Sequence, residues 1–282
     1  MCWSIFSELR RILLKAPHIK WSHHRQWLRT FYRWRFDCNL RTISNAQKQG
    51  DTVAIVLNYK RPQNIDTIVR SLLKTPSIHT VIISNNNPQC CLRRWYTCHH
   101  PAVHIIEQKE KSSAAIRFRI AREHSASQYL IIDDDIFLSP EQCEELCTAI
   151  REDPSVPHGV FGQLCKPDGT CKNGVRNRDG EIDVINRVYA LTADHLQEFF
   201  QLFKQIGMAD NKNIWRESIG DDIVLSFCGS GRPLSHNVGT YIDCATEGMS
   251  GIATWKRPDF FEKRKAIYTK LLAIKPRALL QE

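Results

Sequence analysis

From residue 51 onward, short continuous apolar runs alternate with stretches whose apolar residues recur every three or four positions. The run 53–57, VAIVL, ends in Asn58-Tyr59-Lys60-Arg61. Pro62 then suits the first position of a helix that carries Ile65, Ile68, Val69, Leu72 and Leu73 on one face. A second run, HTVII, ends in Ser84-Asn85-Asn86-Asn87. After a helical stretch over 112–126 a third, QYLII, ends in Asp133-Asp134-Asp135. Short apolar strands separated by helices predict a largely parallel sheet covered by helices on both faces. Ser139-Pro140-Glu141-Gln142 predicts the next helix start, with Ser139 as N-cap, Pro140 at the first helical position and Gln142 closing a capping box. Asp-Gly and Asn-Gly steps within 165–181 are hairpin signals. A strand near NRVYALT, a helix over 194–206, another after ESIGDD and a final amphipathic helix in RPDFFEKRKAIYTKLLAI complete the pattern. The expected class is α/β, with one domain over 51–275.

The first 50 residues read differently. Ile5, Phe6, Leu9, Ile12 and Leu13 recur at helical spacing opposite Ser7, Glu8, Arg10 and Arg11, and Trp27, Leu28, Phe31 and Tyr32 repeat the idea. Ten Lys and Arg stand against Glu8 and Asp37, so this segment carries +8 of the chain's net +9, together with four of its seven tryptophans. A basic amphipathic helix with aromatic residues fits an anionic membrane surface. The pattern fits nearly as well a helical pair packed on the main domain with its arginines solvated. It fits contact with a nucleic-acid backbone less well.

Composition narrows the class. At 282 residues, 42% hydrophobic and 24% charged, the chain can build one large domain. No apolar stretch reaches the roughly 18 residues of a membrane span, and MCWSIFSELRRILLK lacks the charge order of a signal peptide. A cytoplasmic location is expected, peripheral at the membrane if the first segment binds it. The eleven cysteines are an odd number in a chain too long for a disulfide scaffold. Cys143 and Cys147 read as small apolar groups in a helix. The group Cys90, Cys91, Cys98, His99 and His100 lacks paired zinc-site spacing and reads as surface thiols.

In open parallel sheets, ligands bind outside the carboxyl ends of the strands, so the three polar clusters should converge on one crevice. There Asn58, Asn85 and Asn86 can hydrogen-bond a base, Tyr59 can stack on it, and Arg61 and Arg117 can meet phosphates. Three adjacent aspartates repel one another unless a cation lies among them. Carboxylates together with phosphate oxygens suit Mn2+ or Mg2+. A solvated loop is the ordinary reading of an acidic triplet, but the apolar run before this one puts Asp133, Asp134 and Asp135 at a strand mouth. Asp221-Asp222, ahead of Ile223, Val224 and Leu225, reads either as helix N-terminal charge or as a second acidic component of the same site.

These residues, in this order, resemble the nucleotide-sugar transferases of the GT-A fold, and more finely the exostosin-like glycosyltransferase domain. The segments NYKRP, VIISNNNP, IRFRIA, YLIIDDDIF, RVYALTADHLQEFF, GDDIVLSF and SGIATWKR have counterparts there in the same order, spread over 51–275. The resemblance implies a metal-dependent transferase that moves a sugar from a UDP-GlcNAc-like or UDP-GalNAc-like donor to a glycan or lipid-linked acceptor with retention of configuration. It implies that Asp135 ligates Mn2+ while Asp133 and Asp134 touch ribose and donor sugar. Arg61, Asn85, Asn86 and Arg117 would hold UDP, and Arg257 would lie near the diphosphate or sugar. Asp222 would stand beside the anomeric carbon, as nucleophile or as stabiliser of an oxocarbenium ion.

The match departs from that family at three points. Gly220 stands where its animal members carry a cysteine, and no partner cysteine lies in the last helix. An asparagine expected near the Arg117 segment is replaced by Ser112 or a neighbour, and no anchor helix is expected from the sequence. Two other readings compete: an inverting GT-A enzyme with Asp222 as general base, and a non-catalytic basic protein, binding membrane or nucleic acid, on a transferase scaffold.

Overall fold

The computed structural model describes residues 50–209, 213–244, 253–278 and 280, together with Tyr32, Phe36 and Ile43. The membrane, packing and nucleic-acid readings of residues 1–50 otherwise lie outside the described residues. In chain order the first elements are β1 (Thr52–Asn58), α1 (Pro62–Lys74), β2 (Ile78–Asn85), β3 (Val103–Glu107), α2 (Ile116–Glu123), β4 (Gln128–Ile132), β5 (Ile136–Phe137), α3 (Pro140–Glu152), β6 (His158–Gly159), β7 (Phe161–Cys165) and β8 (Cys171–Arg176). Then come β9 (Gly180–Glu181), β10 (Val184–Ile185), β11 (Val188–Thr192), α4 (Ala193–Gln205), α5 (Ile214–Glu217), α6 (Asp221–Ser226), β12 (Leu234–Ser235), β13 (Ile242–Asp243) and α7 (Phe260–Ile274).

The main sheet has the order β3-β2-β1-β4-β11-β6-β12-β9. Its first four strands are parallel, as the apolar runs predict, but β11 pairs antiparallel with β4, so the sheet is mixed. The runs are continuous because both faces are covered. In β1, Ala54 and Val56 face the layer of α1 and α3, while Val53, Ile55 and Leu57 face the layer of α2, α4, α6 and α7. In β4, Leu130 and Ile132 divide from Tyr129 and Ile131 in the same way. Each buried aliphatic side chain of this kind contributes about 1.5–3 kcal/mol.

Local signals hold where they are strong. Gln142 N donates to Ser139 Oγ at 3.2 Å and Ser139 N to Gln142 Oε1 at 2.9 Å, completing the box at the head of α3. The final helix turns Arg264, Tyr268 and Leu271 inward, at spacings of four and three. The helical stretch over 112–126 is shorter in the structure, Ile116–Glu123, because Ser113 N is taken by Trp215 O at 2.6 Å and the chain enters the helix through a turn. Asp168-Gly169 does turn the β7–β8 hairpin, whereas Asn173-Gly174 lies within β8, where Gly174 passes close to the Phe161 ring.

The cysteines correct the reading twice. Cys165 and Cys171 form a disulfide across the hairpin, although the odd count and the chain length argued against a disulfide scaffold. Cys98 is buried rather than a surface thiol, because Asp66 Oδ1 takes both its backbone N–H and that of Thr97 and draws this turn against α1. Cys91 is exposed and Cys143 and Cys147 are buried, as read. Among the described residues no helix is long and apolar enough to cross a membrane.

Candidate active site

The parallel strands end together, and their polar residues do meet. Asn58 Nδ2 donates to Asn85 Oδ1 at 2.7 Å, and Asn86 N donates to Asn58 O at 2.7 Å. Asn85 Nδ2 also reaches Glu107 Oε2 at 2.5 Å, and Asn86 Oδ1 accepts from Ser84 Oγ at 2.7 Å. All three asparagines are buried. They form a floor that ties the strand ends together. Ser112 N donates to Asn86 O at 3.3 Å, which puts the departing position next to that floor.

Above it the aspartates are held by arginines. Asp134 accepts from Tyr59 N at 2.9 Å and pairs with Arg61 Nη1 at 2.5 Å, while Asn64 Nδ2 donates to its carbonyl at 2.7 Å. Asp135 Oδ1 accepts from Arg187 Nε and Nη2 at 3.1 and 3.0 Å, and its Oδ2 lies 3.3 Å from Arg61 Nη2. Arg187 Nη1 reaches Asp243 at 2.5 Å, and Arg176 pairs with that same carboxylate. Asp133 Oδ1 accepts from Arg117 Nη1 at 2.6 Å, while Nε and Nη2 of the same guanidinium donate to Asp221 Oδ2 at 3.1 and 2.9 Å. Arg117 is buried, stacked 4.7 Å from the Tyr189 ring. Asp222, next in the chain, has both carboxylate oxygens 2.6 Å from Arg264 Nη1. Arg264 is itself braced by Gln163 Oε1 at 3.0 Å.

Gly220 explains how both aspartates enter at the head of α6. Its φ of +89° makes the left-handed turn that starts the helix, and an added Cβ would meet Ile267 Cδ1 of α7 at 2.7 Å. The departure from cysteine at this position therefore comes with an apolar residue packed over it.

The charges of this cluster are not balanced evenly. Among the described residues, Asp133, Asp134, Asp135, Asp221, Asp222 and Asp243 share the guanidiniums of Arg61, Arg117, Arg176, Arg187 and Arg264. Burial pushes the Asp133 carboxyl up to about 7, with Asp135 and Asp134 adding to the shift and Arg117 opposing it. Burial also works against the charge of Asp135, yet Arg187 and Arg61 outweigh it and hold this carboxyl below its usual range. Asp221 is raised by burial, with Asp222 adding and Arg117 opposing. The acids outnumber the guanidiniums by one, yet among the described residues no three acid, histidine or cysteine side chains come together as a ready-made metal site, so a divalent cation here would rest on one or two of these carboxylates together with oxygens of its ligand.

The sequence-predicted residues thus divide. Asp133, Asp134, Asp135, Arg61, Arg117 and Asp222 come together in one network. Tyr59 sits at its half-exposed edge, with the ammonium groups of Lys60 and Lys111 5.2 and 5.7 Å from its ring centre. Asn58, Asn85 and Asn86 lie in the floor. Arg257 follows the short 3-10 turn Thr254–Lys256, and its ion pair is with the half-exposed Asp259 at 3.4 Å, outside the network. Sequence reasoning missed Arg187, Arg264 and Asp243. For Arg264 a signal existed, since it takes an inward position in the stripe of the last helix.

Layered α/β architecture with acids gathered at the carboxyl edge of a mixed sheet is the scaffold of GT-A glycosyltransferases. The structure of GalNAc-T7 with UDP, GalNAc and Mn2+ is similar at a TM-score of 0.54 and 8% identity, covering 83% of this chain and 52% of that one. A CMP:2-keto-3-deoxy-manno-octonic acid synthetase complexed with CTP overlaps 54% of this chain and 78% of its own at 12% identity and a TM-score of 0.38, too low to bear on the fold. No curated protein matches the chain. The profile of the glycosyl transferase family 64 domain matches residues 52–276, and the chain belongs to that family. It is a glycosyltransferase.

Proposed function

We propose that this enzyme moves a sugar from a UDP-sugar donor of the UDP-GlcNAc or UDP-GalNAc type to a glycan or lipid-linked acceptor, with retention of configuration and with Mn2+ or Mg2+ as cofactor. The observation that carries the reading is the joining of two acidic clusters by one buried side chain. Arg117 grips Asp133 at the mouth of β4 and Asp221 at the head of α6, so Asp222 belongs to the same construction as the triplet. Asp135, with Asp133 beside it, would hold the metal. When bound, the ion would offset the charge of the departing diphosphate. GalNAc-T7, whose structure holds UDP, GalNAc and Mn2+, lends support to that choice of donor class.

The chain's own contribution is electrostatic and positional. Tyr59 presents a ring at the edge of the site, flanked by two lysines, suited to a base and its phosphates. Arg61 and Arg117 act by fixing the aspartates, and reach phosphate only if those contacts loosen. Asp222 supplies negative charge where the sugar becomes positive, and Arg264 keeps its carboxylate in one orientation. A thermal-shift experiment tests the reading. The melting temperature of the wild type should rise with UDP and Mn2+ together, by an amount equivalent to about 2.7 kcal/mol at a hundredfold excess over Kd. The Mn2+-dependent part should vanish in Asp135→Asn. An unresponsive wild type, or an Asp135→Asn variant that responds fully, would overturn it. The anomeric configuration of the product decides retention.

A further inference from the structure

We infer that the basic segment 1–49 docks in cis on an acidic hollow of the catalytic domain. A cavity of about 740 Å³ lies along α3 and reaches Lys74 and Pro76, at the edge of the sheet where β2 begins, opposite the edge that gathers the aspartates. Glu141, Glu145, Glu152 and Asp153 stand in its wall, against the cation of Lys74 and the stacked pair His158 and His236. Glu144, also in the wall, is committed to Ser77 through that residue's N and Oγ, and Asp153 accepts from Ser155 N and Oγ, which leaves the exposed Glu145 and Glu152 as the main attraction. Pro76, Pro140, Ala149 and Leu234 give the hollow an apolar part as well.

The described residues that adjoin the basic segment argue for this rim. Thr52 N donates to Ser77 O at 3.1 Å, and a Cβ on Gly50 would fall 2.0 Å from that same oxygen. The chain therefore enters β1 pressed against Ser77, the neighbour of Pro76 in the cavity wall. Further upstream, Ile43 packs against the core cluster to which α3 contributes Cys143, Leu146, Cys147 and Ile150. Gly50, the residue that follows the segment, thus stands at the rim of the hollow, and Ile43 packs on the same side of the sheet as α1 and α3. It carries a net +8 and four tryptophans over 1–49, which match carboxylates and apolar wall alike. A single exposed ion pair is weak. Several acting together on a tethered partner, at an effective concentration in the millimolar range, are not.

The test uses the full chain and trypsin, since the segment is rich in Lys and Arg. At low salt, cleavage within 1–49 should be slow. It should quicken about tenfold in E145K/E152K, the expected yield of reversing two surface charges, and wild type should approach the same rate at high salt. Both glutamates are exposed and outside the active-site network, so the thermal response to UDP and Mn2+ serves as the control for folding. In parallel, sedimentation with phosphatidylcholine–phosphatidylserine vesicles should increase in E145K/E152K, because the segment is released. Equal proteolysis in both proteins at low salt would overturn the proposal. So would equal proteolysis with strong, equal sedimentation, which would assign the segment to the lipid surface.

Discussion

Replacing Arg117 by methionine should be among the most damaging single changes outside the apolar core. Its side chain is 4% exposed and its one positive charge is shared by two carboxylates, with donation at 2.6 Å to Asp133 and at 2.9 and 3.1 Å to Asp221. Methionine keeps most of the contact with Tyr189, so the loss is charge more than volume. Removing one partner of a buried pair costs about 3–5 kcal/mol. Water reaches Asp133, whose side chain is 27% exposed, so that half is discounted. Asp221 carries most of the cost, and a loss of about 3 kcal/mol is expected at pH 7.5. Burial already raises both carboxyls. Without the guanidinium they bind protons still more tightly in the fold than in the unfolded chain, where the value is near 4. A raised folded value gives stability that is present at low pH and lost as the pH climbs through it. The deficit should therefore narrow from pH 7.5 to pH 5. Urea unfolding at each pH, with the slope m checked for constancy, measures this. Arg117→Met/Asp221→Asn should recover most of the loss. A deficit below about 1 kcal/mol at pH 7.5, the scale of a surface pair, or one that does not narrow on acidification, refutes the argument.

Other consequences can be measured alongside. Asp222→Asn should bind UDP-sugar nearly as well as wild type by calorimetry while kcat falls about a hundredfold or more, because its charge acts mainly in the transition state; near-normal turnover would leave it a helix-end group. Gly220→Ala should cost about 1–2 kcal/mol through its φ of +89°, and Ile267→Val should not restore it, since Cδ1 is a flexible end and the backbone angle is not. Rescue by Ile267→Val would place the cost in the contact instead. Burial lowers His158 to about 4, with the neighbouring His236 adding, whereas the unfolded residue takes its proton near 6.5. Its contribution is intact above pH 6.5 and is lost as the pH falls toward 4, by about 1.4 kcal/mol per unit. His158→Gln should flatten that slope, and an unchanged slope would trace acid sensitivity elsewhere.

What could be read from the sequence was whatever is local in it. The acidic end of QYLII, the capping box at Ser139 and the helical stripe of α1 each lie within a dozen residues. The convergence of three strand ends followed from the parallel pairing those runs imply. The cations of the site were illegible for the opposite reason. Arg187 meets Asp135 only because β11 begins where β4 ends, an antiparallel join that puts Asp133 N on Arg187 O at 2.9 Å. Asp243 arrives through a two-residue strand paired with β5, too short to show any period. Arg117 and Arg61 could be named, but a role against phosphate was the natural reading. Only the structure shows them turned toward aspartates.

The order in which these partners leave the ribosome has a consequence of its own. Arg61, Arg117 and the strands β1 to β4 are made first, and domains generally form from the N-terminal side as they emerge. The three aspartates come next with only part of their counter-charge, and Arg187 follows 52 residues behind Asp135. Asp221 must close a span of 104 residues back to Arg117, and Asp222 waits 42 more residues for Arg264 in the last helix. A nascent chain can therefore complete its parallel strands well before it can bury its acids without penalty. Loss of α7 would strip Asp222 of the guanidinium it is buried against, so the last helix, rather than the sheet, is where a finished chain differs from an interrupted one.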